Sequence, residues 1–409
     1  MKYLYFCLCF CIFSILKGQT TLKNYIKDNA TIFQQDTLDT KTLEILKIAL
    51  KNVEIIGLGE QTHFDGITSI ARVSLIKYLH QKCDFNVMAF ESGFYDCYKA
   101  YELAKTNKNK DSILIEPIFG VFRVKEIKPL FEYIAKTYTT ANPLKLIGFD
   151  HQFSSDISKT HFLNDFIGFL EKEKIFDTRS KDYDKFLEEL ERIIRLSNYG
   201  KTYSEETKKI INAYTKMIYQ FLEKKDNKKF EDYFWMVICK NIDIETIHME
   251  KIEGNSRDKE MANNISWIKN HLYPNEKIIL WAASSHLRFN PKLVDYEDLK
   301  NSIPTGEALK KQYQEKYYFL GFTSYEGKYG KGMMNMKVKT PKKEDSFEYN
   351  LREFTDKNAF IPLNTADEKF KQTYFTANIF GNISLKMKIF DVADGIIYLR
   401  KMTKVHKIK

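Results

Sequence analysis

The sequence is poor in cysteine, and half of what it has lies near its start. It holds six cysteines in 409 residues, of which three precede residue 12 and the others are Cys83, Cys97 and Cys239. An odd, scattered set after the leader does not form a disulfide framework. Cys83 and Cys97 flank a predicted strand and fit either a disulfide or two buried thiols. The absence of a CxxC motif or a Cys/His cluster argues against a structural zinc site.

Long apolar runs are also missing, except at the start. After Met1-Lys2, an apolar run of fourteen residues extends from Tyr3 to Leu16 and is followed by Lys17-Gly18. A charged start, a short apolar core and a small residue before a polar stretch are typical of a secretory signal peptide. The run is too short to span a bilayer comfortably. We therefore predict cleavage near Gly18-Gln19, secretion or a periplasmic location, and no stable membrane insertion.

The chain lacks a concentrated charge of either sign. Its 64 basic and 54 acidic residues give a net charge of +10, but the basic residues are scattered and form no stripe interleaved with aromatics. Nucleic acid is therefore not expected as a partner. The apolar fraction of 44%, with 31 Phe and 25 Tyr, provides for a large core and excludes a disordered chain. The length allows two or three domains or one large elaborated domain.

Short apolar segments that end in ionisable residues recur along the chain. Residues 53–58 precede Glu60 and His63, residues 85–90 precede Glu91, residues 143–149 precede Asp150, and residues 276–282 precede His286. Helical periodicities separate these segments, so we predict an α/β fold with a mostly parallel central sheet flanked by helices. We expect the first two strands to be parallel neighbours. Glu60 and Glu91 would then lie side by side at the edge of the sheet where ligands bind.

Residues 156–250 differ in composition from the rest of the chain. They are rich in Lys and Glu, have helical periods and show no strand signal. We interpret them as a helical insertion that forms a lid over the active-site edge. The predicted organisation is a signal peptide at 1–18, a first part of the α/β core at 19–155, the insertion at 156–250 and a second part of the core at 251–409.

Glu60 and His63 are the leading candidates for chemistry. They lie three residues apart, so one helical turn puts both side chains on one face. A carboxylate beside an imidazole raises its basicity and fixes its tautomer, as a general base requires. The structural alternative is that Glu60 caps a helix and His63 is an ordinary polar residue. Three other candidates also have a structural interpretation: Arg72 is then a salt-bridged residue, Asp150 a cap, and His286 the start of a helix.

Taken together, these segments resemble the erythromycin esterase family. The resemblance begins at Gly57-Leu58-Gly59-Glu60-Gln61-Thr62-His63, runs in order to the end of the chain, and includes the residues around Arg72, Glu91, Asp150, Arg257-Asp258, 281–286 and 390–395. It implies an α/β core with an added helical region and a cleft between them. It also implies hydrolysis of the macrolactone ester of macrolide antibiotics, and hence antibiotic resistance.

The resemblance also implies roles for individual residues. His63 matches the general base that activates water, Glu60 and Glu91 match the acidic pair around it, and Arg72 matches the site arginine. His286 matches the second histidine of a His-Asn-x-His pattern, in which this chain has Ala283 and Ser284 at the first two positions. Asp150, Gln61 and Arg257 are predicted to bind substrate or to orient the catalytic groups.

The candidate site residues are suited to ester hydrolysis without a Ser or Cys nucleophile. The chain has no Gly-x-Ser-x-Gly elbow. Water deprotonated by His63 and oriented by Glu60 or Glu91 would attack the ester directly, and Arg72 or His286 would stabilise the oxyanion. We predict no cofactor. Two carboxylates and two histidines are also suitable ligands for a divalent metal, so metal-activated water is the alternative.

Two other functions are also compatible with the sequence. The same machinery would serve a related secreted esterase that acts on a different ester, for which Ala283 is the hint. Alternatively, the fold would bind haem or a metal without ester hydrolysis, since such proteins have remotely similar folds. The expected partner is a small-molecule macrolide, and no feature of the sequence indicates an oligomeric state.

Overall fold

A computed structural model describes residues 22–175, 181–197, 202–247, 256–341 and 344–408. The predicted signal peptide, residues 1–18, lies outside these ranges. The described residues divide into two compact units. Unit 1 is drawn from Met1–Cys83, Val124–Ile127 and Ala282–Lys409, and unit 2 from Asp84–Arg123 and Lys128–Trp281.

The described residues contain the following strands and helices, numbered in chain order. The strands are β1 (Thr31–Phe33), β2 (Ile55–Leu58), β3 (Phe85–Gly93), β4 (Lys145–Asp150), β5 (Lys277–Trp281), β6 (Tyr317–Thr323), β7 (Glu326–Tyr329), β8 (Met336–Lys337), β9 (Asn358–Pro362), β10 (Phe375–Ala377), β11 (Leu385–Met387), β12 (Gly395–Tyr398) and β13 (Lys401–Met402). The helices are α1 (22–29), α2 (Thr40–Ala49), α3 (Gly66–Cys83), α4 (Phe94–Thr106), α5 (Lys110–Ile115), α6 (Lys128–Thr137), α7 (Asp156–Glu173), α8 (Lys181–Leu196), α9 (Glu205–Glu223), α10 (Phe230–Ile247), α11 (Ser256–Trp267), α12 (Ser284–Leu287), α13 (Glu297–Lys300), α14 (Thr305–Tyr313), α15 (Phe347–Phe354) and α16 (Glu368–Lys371). Short 3-10 turns at Lys125–Ile127, Pro291–Leu293, Gln314–Lys316 and Ile389–Asp391 and a π turn at Ile268–Leu272 complete the set.

Unit 1 carries five strands of the central sheet in the order β1-β9-β12-β6-β2. The strands β2, β6 and β12 run parallel to one another, whereas β9 is antiparallel to β12 and β1 to β9. Every residue of β2, β6 and β12 is buried. Parallel strands covered on both faces are expected to be continuously apolar rather than alternating. This explains why the short run Ile55–Leu58 is readable as a strand in the sequence.

Unit 2 carries three parallel strands in the order β5-β3-β4. Met88 at the centre of β3 is opposite Ile279 of β5 on one side and Leu146 of β4 on the other. Both sides of β3 are thus occupied, and the expectation that β2 and β3 are neighbouring strands is wrong. Consecutive strands are adjacent in most folds but not in all. Here β5, which follows the long helical region in the chain, takes the place beside β3.

The helices α7 to α10 pack around aromatic side chains within unit 2. The indole of Trp235 in α10 lies 5.3 Å from the rings of Phe166 and Phe169 in α7, measured between ring centroids. Phe186 of α8 stacks on Tyr214 of α9 at 4.4 Å. Large aromatic side chains contribute much buried area and geometric specificity to such contacts. The described part of 156–250 is therefore helical with its own core, whereas its action as a lid stays a prediction.

The predicted fold class is confirmed as α/β with a mostly parallel central sheet flanked by helices. The predicted division of the chain at residues 155 and 250 stays a prediction. Cys83, Cys97 and Cys239 are buried and form no disulfide with one another, which decides against a Cys83–Cys97 disulfide. Among the described residues, no helix is both long and apolar enough to cross a bilayer.

Candidate active site

The loop after β2 is held tightly against the elements beside it in unit 1. A Cβ atom at Gly59 would clash with the hydroxyl of Ser284 and the ring of Phe319. Only glycine fits there, because it has no side chain. The backbone N–H of Ser284 donates to the carbonyl of Glu60 at 3.1 Å, which links the start of α12 to this loop. The chain therefore leaves β2 along a fixed path that determines where the next side chains point.

Glu60 joins two site residues through its carboxylate. Its Oε1 lies 2.5 Å from Nδ1 of His63, and its Oε2 accepts a hydrogen bond of 2.5 Å from Nη2 of Arg72. The Glu60 side chain is 3% exposed, the Arg72 side chain is fully buried, and the His63 side chain is 41% exposed. A buried carboxylate is tolerated when it is paired and hydrogen-bonded. The structure thus brings these three predicted residues together, while their catalytic roles stay predictions.

The contact with Glu60 defines which nitrogen of His63 can act as a base. A carboxylate only accepts hydrogen bonds, so the neutral imidazole donates from Nδ1 and keeps its lone pair on Nε2. This arrangement is the one by which carboxylates orient histidines in catalytic sites. Since His63 is partly exposed, it combines a fixed tautomer with access from outside. The arrangement suits proton abstraction from water or from a hydroxyl group.

Asp65 lies beside these residues and was not among those predicted from the sequence. Phe64 has a φ of 66°, a left-handed conformation that is uncommon for a bulky residue, and the chain reverses there into α3. Asp65 Oδ2 then accepts a 2.5 Å hydrogen bond from the hydroxyl of Thr68. Burial raises the pKa of Asp65 to about 7, opposed by the hydrogen bonds from Thr68 and assisted by the charge of Glu60. The signal in the sequence was the spacing of Asp65 and Thr68, which is that of a helix cap.

Two other predicted residues lie in unit 1. Gln61 is buried, and its Oε1 accepts a hydrogen bond of 2.8 Å from the backbone N–H of Ser324, which follows β6. It therefore anchors the loop after β2 to the end of β6. His286 lies on α12 and is partly exposed. Ala283, at the position where the family pattern has its first histidine, is the residue that precedes α12.

The remaining predicted residues form a second cluster within unit 2. Arg257 of α11 donates from Nη2 to Glu91 Oε1 at 2.8 Å and from Nε to Asp150 Oδ2 at 2.8 Å. Glu91 and Asp150 belong to the adjacent strands β3 and β4. Both carboxylates are almost completely buried, whereas the Arg257 side chain is 24% exposed. One guanidinium thus pairs with carboxylates of two adjacent strands, as its planar fork of donors allows.

The charge of Asp150 is strongly coupled to its neighbours. Burial by itself raises the pKa of this carboxyl, but Arg257, His151 and the backbone N–H of Gln152 together outweigh burial and hold its pKa below the ordinary value. The buried ring of His151 lies between two carboxylates, with Nδ1 3.4 Å from Asp150 and Nε2 3.5 Å from Glu245. Glu245 lies on α10 and was not predicted from the sequence. No local pattern connects it with Asp150, because α7, α8 and α9 lie between β4 and α10 in the chain.

Within the described ranges, no group of three or more His, Cys, Asp and Glu side chains is arranged to hold a metal ion. The side chains of Glu60 and of Asp150 are instead paired with guanidinium groups. The expectation that the protein uses no cofactor stays a prediction.

Comparison with known proteins decides the family. The model of the family described as erythromycin esterase matches residues 80–402. The chain belongs to the erythromycin esterase family. The predicted family is thereby confirmed. The matched range contains Glu91, Asp150, Arg257 and His286, while the residues around Glu60 precede it.

Relatives extend the similarity over nearly the whole chain. The chain is 27% identical over 430 residues to a Bacillus subtilis (strain 168) protein named "Putative hydrolase YbfO", an alignment that covers 97% of this chain and 95% of the relative. It is 22% identical to Erythromycin esterase type II of Escherichia coli, with 93% and 97% covered. A solved structure of a mutant of the erythromycin esterase EreC, in its open conformation, is similar with a TM-score of 0.67 and 19% identity, covering 92% of this chain and 98% of that one. These similarities support a hydrolase with the fold of the erythromycin esterases.

Proposed function

We propose that this member of the family is a carboxylic ester hydrolase that opens the macrolactone ring of macrolide antibiotics with water activated by His63. The observation that carries the proposal is the carboxylate of Glu60, which contacts both His63 and Arg72. The family and the named erythromycin esterases among the similar proteins support the ester as substrate. Ring opening would inactivate the drug, and the proposed result for the cell is macrolide resistance.

The proposed reaction is a direct hydrolysis. His63 Nε2 takes a proton from water as the water oxygen bonds to the ester carbonyl carbon. The tetrahedral intermediate then expels the alkoxide, which receives the proton from His63 and leaves as the ring hydroxyl. The products are one carboxylic acid and one alcohol on the same opened chain, so one water molecule is added in total. A positioned acid–base group of this kind contributes about 10²–10⁴-fold to a rate.

The contacts suggest different roles for the two cationic candidates in unit 1. Arg72 is fully buried, and it donates to Glu60 and to the carbonyl of Leu58 at 3.3 Å. We therefore propose that Arg72 positions Glu60, and through it His63, rather than contacting the substrate. His286 is partly exposed and is our proposed donor to the oxyanion. Donors aimed at developing negative charge are usually a large part of catalysis in acyl transfer.

A second candidate function is hydrolysis of a different ester by the same machinery. Ala283 favours it, because the imidazole that the family pattern has at this position is missing from the chain. One of the relatives that match over nearly the full length, at 27% identity, is named only as a hydrolase. The proposed base would serve either ester, so the two candidates differ in substrate and not in chemistry.

Export is proposed together with either activity. The charged and apolar pattern of residues 1–18 supports a cleaved signal peptide, and the protein would then act on its substrate outside the cytoplasm. N-terminal sequencing of the mature protein from its native host tests this part. A first residue at or near Gln19 is expected, and an intact Met1 would contradict it.

The activity itself is tested by mass spectrometry of erythromycin after incubation with the purified protein. Gain of one water by the drug is expected with the wild type and not with His63→Ala. His406→Ala is the matched control, because His406 also pairs with a carboxylate, at 2.6 Å from Glu126, and its side chain is 75% exposed. This control should hydrolyse the drug at the wild-type rate.

The other outcomes decide between the candidates. Wild-type turnover by His63→Ala would remove the proposed base. An unchanged drug with all proteins would contradict the macrolide substrate. A panel of other esters would then be tested with the same variants, with loss of hydrolysis in His63→Ala as the expected result for any true substrate.

A further inference from the structure

Unit 2 contains a cavity that the proposed chemistry does not use. It has a volume of about 430 Å³, and its walls come from two segments, residues 116–123 before α6 and residues 152–159 at the start of α7. This volume is within the range of small-molecule sites, about 300–1,000 Å³. Gln152, which lines the cavity, also donates its backbone N–H to Asp150 Oδ1 at 3.2 Å. The cavity therefore adjoins the end of β4 that carries Asp150.

The walls of this cavity are polar but electrically balanced. Two cations, Arg123 and Lys159, lie among two carboxylates, Glu116 and Asp156. Lys159 Nζ lies 3.3 Å from Asp156 Oδ1, and Arg123 donates to the backbone carbonyl of Glu116 at 2.9 Å. A site for phosphate or another strong anion presents an excess of positive charge. The balance of charges here favours a neutral ligand with both donors and acceptors.

Two polar atoms in the walls have no hydrogen-bond partner among the described residues. They are Ser154 Oγ and Glu116 Oε2, both buried. The other oxygen of Glu116 accepts a hydrogen bond of 3.2 Å from the backbone N–H of Asp156. Leaving a buried polar atom unpaired is costly. Both atoms belong to rotatable side chains at the cavity, so hydroxyl groups of a ligand can complete their bonding.

The cavity is built on a fixed support. The fully buried carboxylate of Asp96 accepts hydrogen bonds from the backbone N–H of Ser154 at 3.0 Å, from Ser155 Oγ at 2.7 Å and from the backbone N–H of Ser158 at 2.8 Å. On the opposite wall, the backbone N–H of Phe119 donates to Ser92 Oγ at 3.0 Å. The ring of Phe119 is partly exposed and adds an apolar face beside the polar groups. Pre-formed walls of this kind reduce the entropy lost on binding.

We propose that this cavity binds a neutral, hydroxyl-rich ligand, namely a saccharide unit. The hydroxyl groups of a sugar both donate and accept, which matches carboxylates, a serine hydroxyl and cationic donors in one site. Its C–H face matches the partly exposed ring of Phe119. The inference does not depend on ester hydrolysis and goes beyond the proposed function.

The test measures binding to the full mature protein without any reaction. Saturation-transfer NMR and calorimetric titration at millimolar concentrations use glucose, galactose, cellobiose and maltose as probes, with inorganic phosphate as the charged alternative. Binding of at least one saccharide to the wild type is expected. Glu116→Gln and Ser154→Ala should each weaken it by roughly five- to ten-fold, the effect of losing one hydrogen bond.

Both variants are chosen to preserve the fold. Ser154→Ala keeps the backbone N–H that binds Asp96, and Glu116→Gln keeps an oxygen for the N–H of Asp156. Glu132→Gln and Ser112→Ala, at exposed positions of α6 and α5, are the matched controls and should bind like the wild type. The inference is overturned if no saccharide binds to the wild type, if both cavity variants bind as tightly as the wild type, or if phosphate binds in place of the saccharides.

Discussion

Arg72 Nη2 lies 2.5 Å from Glu60 Oε2, and neither side chain has appreciable access to solvent. A buried ion pair of this kind is weak support for net stability, but removal of one partner leaves an uncompensated charge. In this protein the same carboxylate also holds His63. Glu60 therefore links the buried charge of Arg72 to the orientation of the proposed base.

Arg72→Met should lower the free energy of unfolding by about 3–5 kcal/mol, the usual cost of leaving a buried charge without its partner. Denaturant unfolding at neutral pH measures this. The double variant Arg72→Met/Glu60→Gln should recover part of the loss, because no charge then remains unpaired. Arg195→Met is the matched control, since the pair of Arg195 with Glu191 is exposed and such pairs contribute about 0–1 kcal/mol. Equal losses in Arg72→Met and the control would contradict the coupling.

Asp65→Asn should change how stability depends on pH. Burial raises the pKa of Asp65 to about 7 in the folded protein, against about 3.9 in an unfolded chain. A carboxyl whose pKa is higher in the folded than in the unfolded protein stabilises the fold fully at pH values below its pKa in the unfolded chain. This stabilisation is lost as the pH rises through its pKa in the folded protein. From pH 5 to pH 8 the wild type should lose roughly 2–3 kcal/mol more than Asp65→Asn. Denaturant unfolding at both pH values measures the difference, and parallel losses in the two proteins would contradict the raised pKa.

The strands and the first site cluster were predictable because their signals are local. Ile55–Leu58 is a continuous apolar run and Phe85–Phe90 is apolar except for Asn86, as expected for parallel strands buried on both faces. Glu60 and His63 are three residues apart, and Arg72 lies within the first turns of the next helix. These three residues lie so close in the chain that their contacts could be predicted from the sequence.

Contacts between distant segments were not predictable in the same way. Because β2 and β3 are consecutive in the chain, we expected them to be neighbours in the sheet. The position beside β3 is instead occupied by β5, which comes much later in the chain. Arg257 reaches Asp150 across 107 positions and Glu91 across 166. No periodicity encodes such pairings, because they depend on which faces of distant elements pack together.

Within the cluster around Arg257, Asp150 and Glu91 differ in role, and the sequence did not predict this difference. Asp150 is fully buried, and its pKa is held below the ordinary value against the effect of burial. A carboxyl whose pKa is lower in the folded than in the unfolded protein stabilises the fold at pH values above its pKa in the unfolded chain. This stabilisation is lost as the pH falls through its pKa in the folded protein. Asp150 therefore stabilises unit 2 at neutral pH. Glu91 shares the same arginine and accepts from its Nη2, whereas Asp150 Oδ2 lies within bonding distance of both Nε and Nη2.

Glu91→Gln should consequently affect turnover more than stability. Arg257 keeps its pair with Asp150 in this variant, so the free energy of unfolding should fall by only about 1–2 kcal/mol. Turnover of the ester should fall by roughly a hundred-fold, because the predicted role of Glu91 is to orient the attacking water. Asp150→Asn is the informative partner, because it removes the more deeply buried charge and should lose more stability than Glu91→Gln. Steady-state hydrolysis at saturating substrate, set beside denaturant unfolding of both variants, measures the two effects separately. Wild-type turnover in Glu91→Gln would exclude this carboxylate from the reaction and leave it as a structural partner of Arg257.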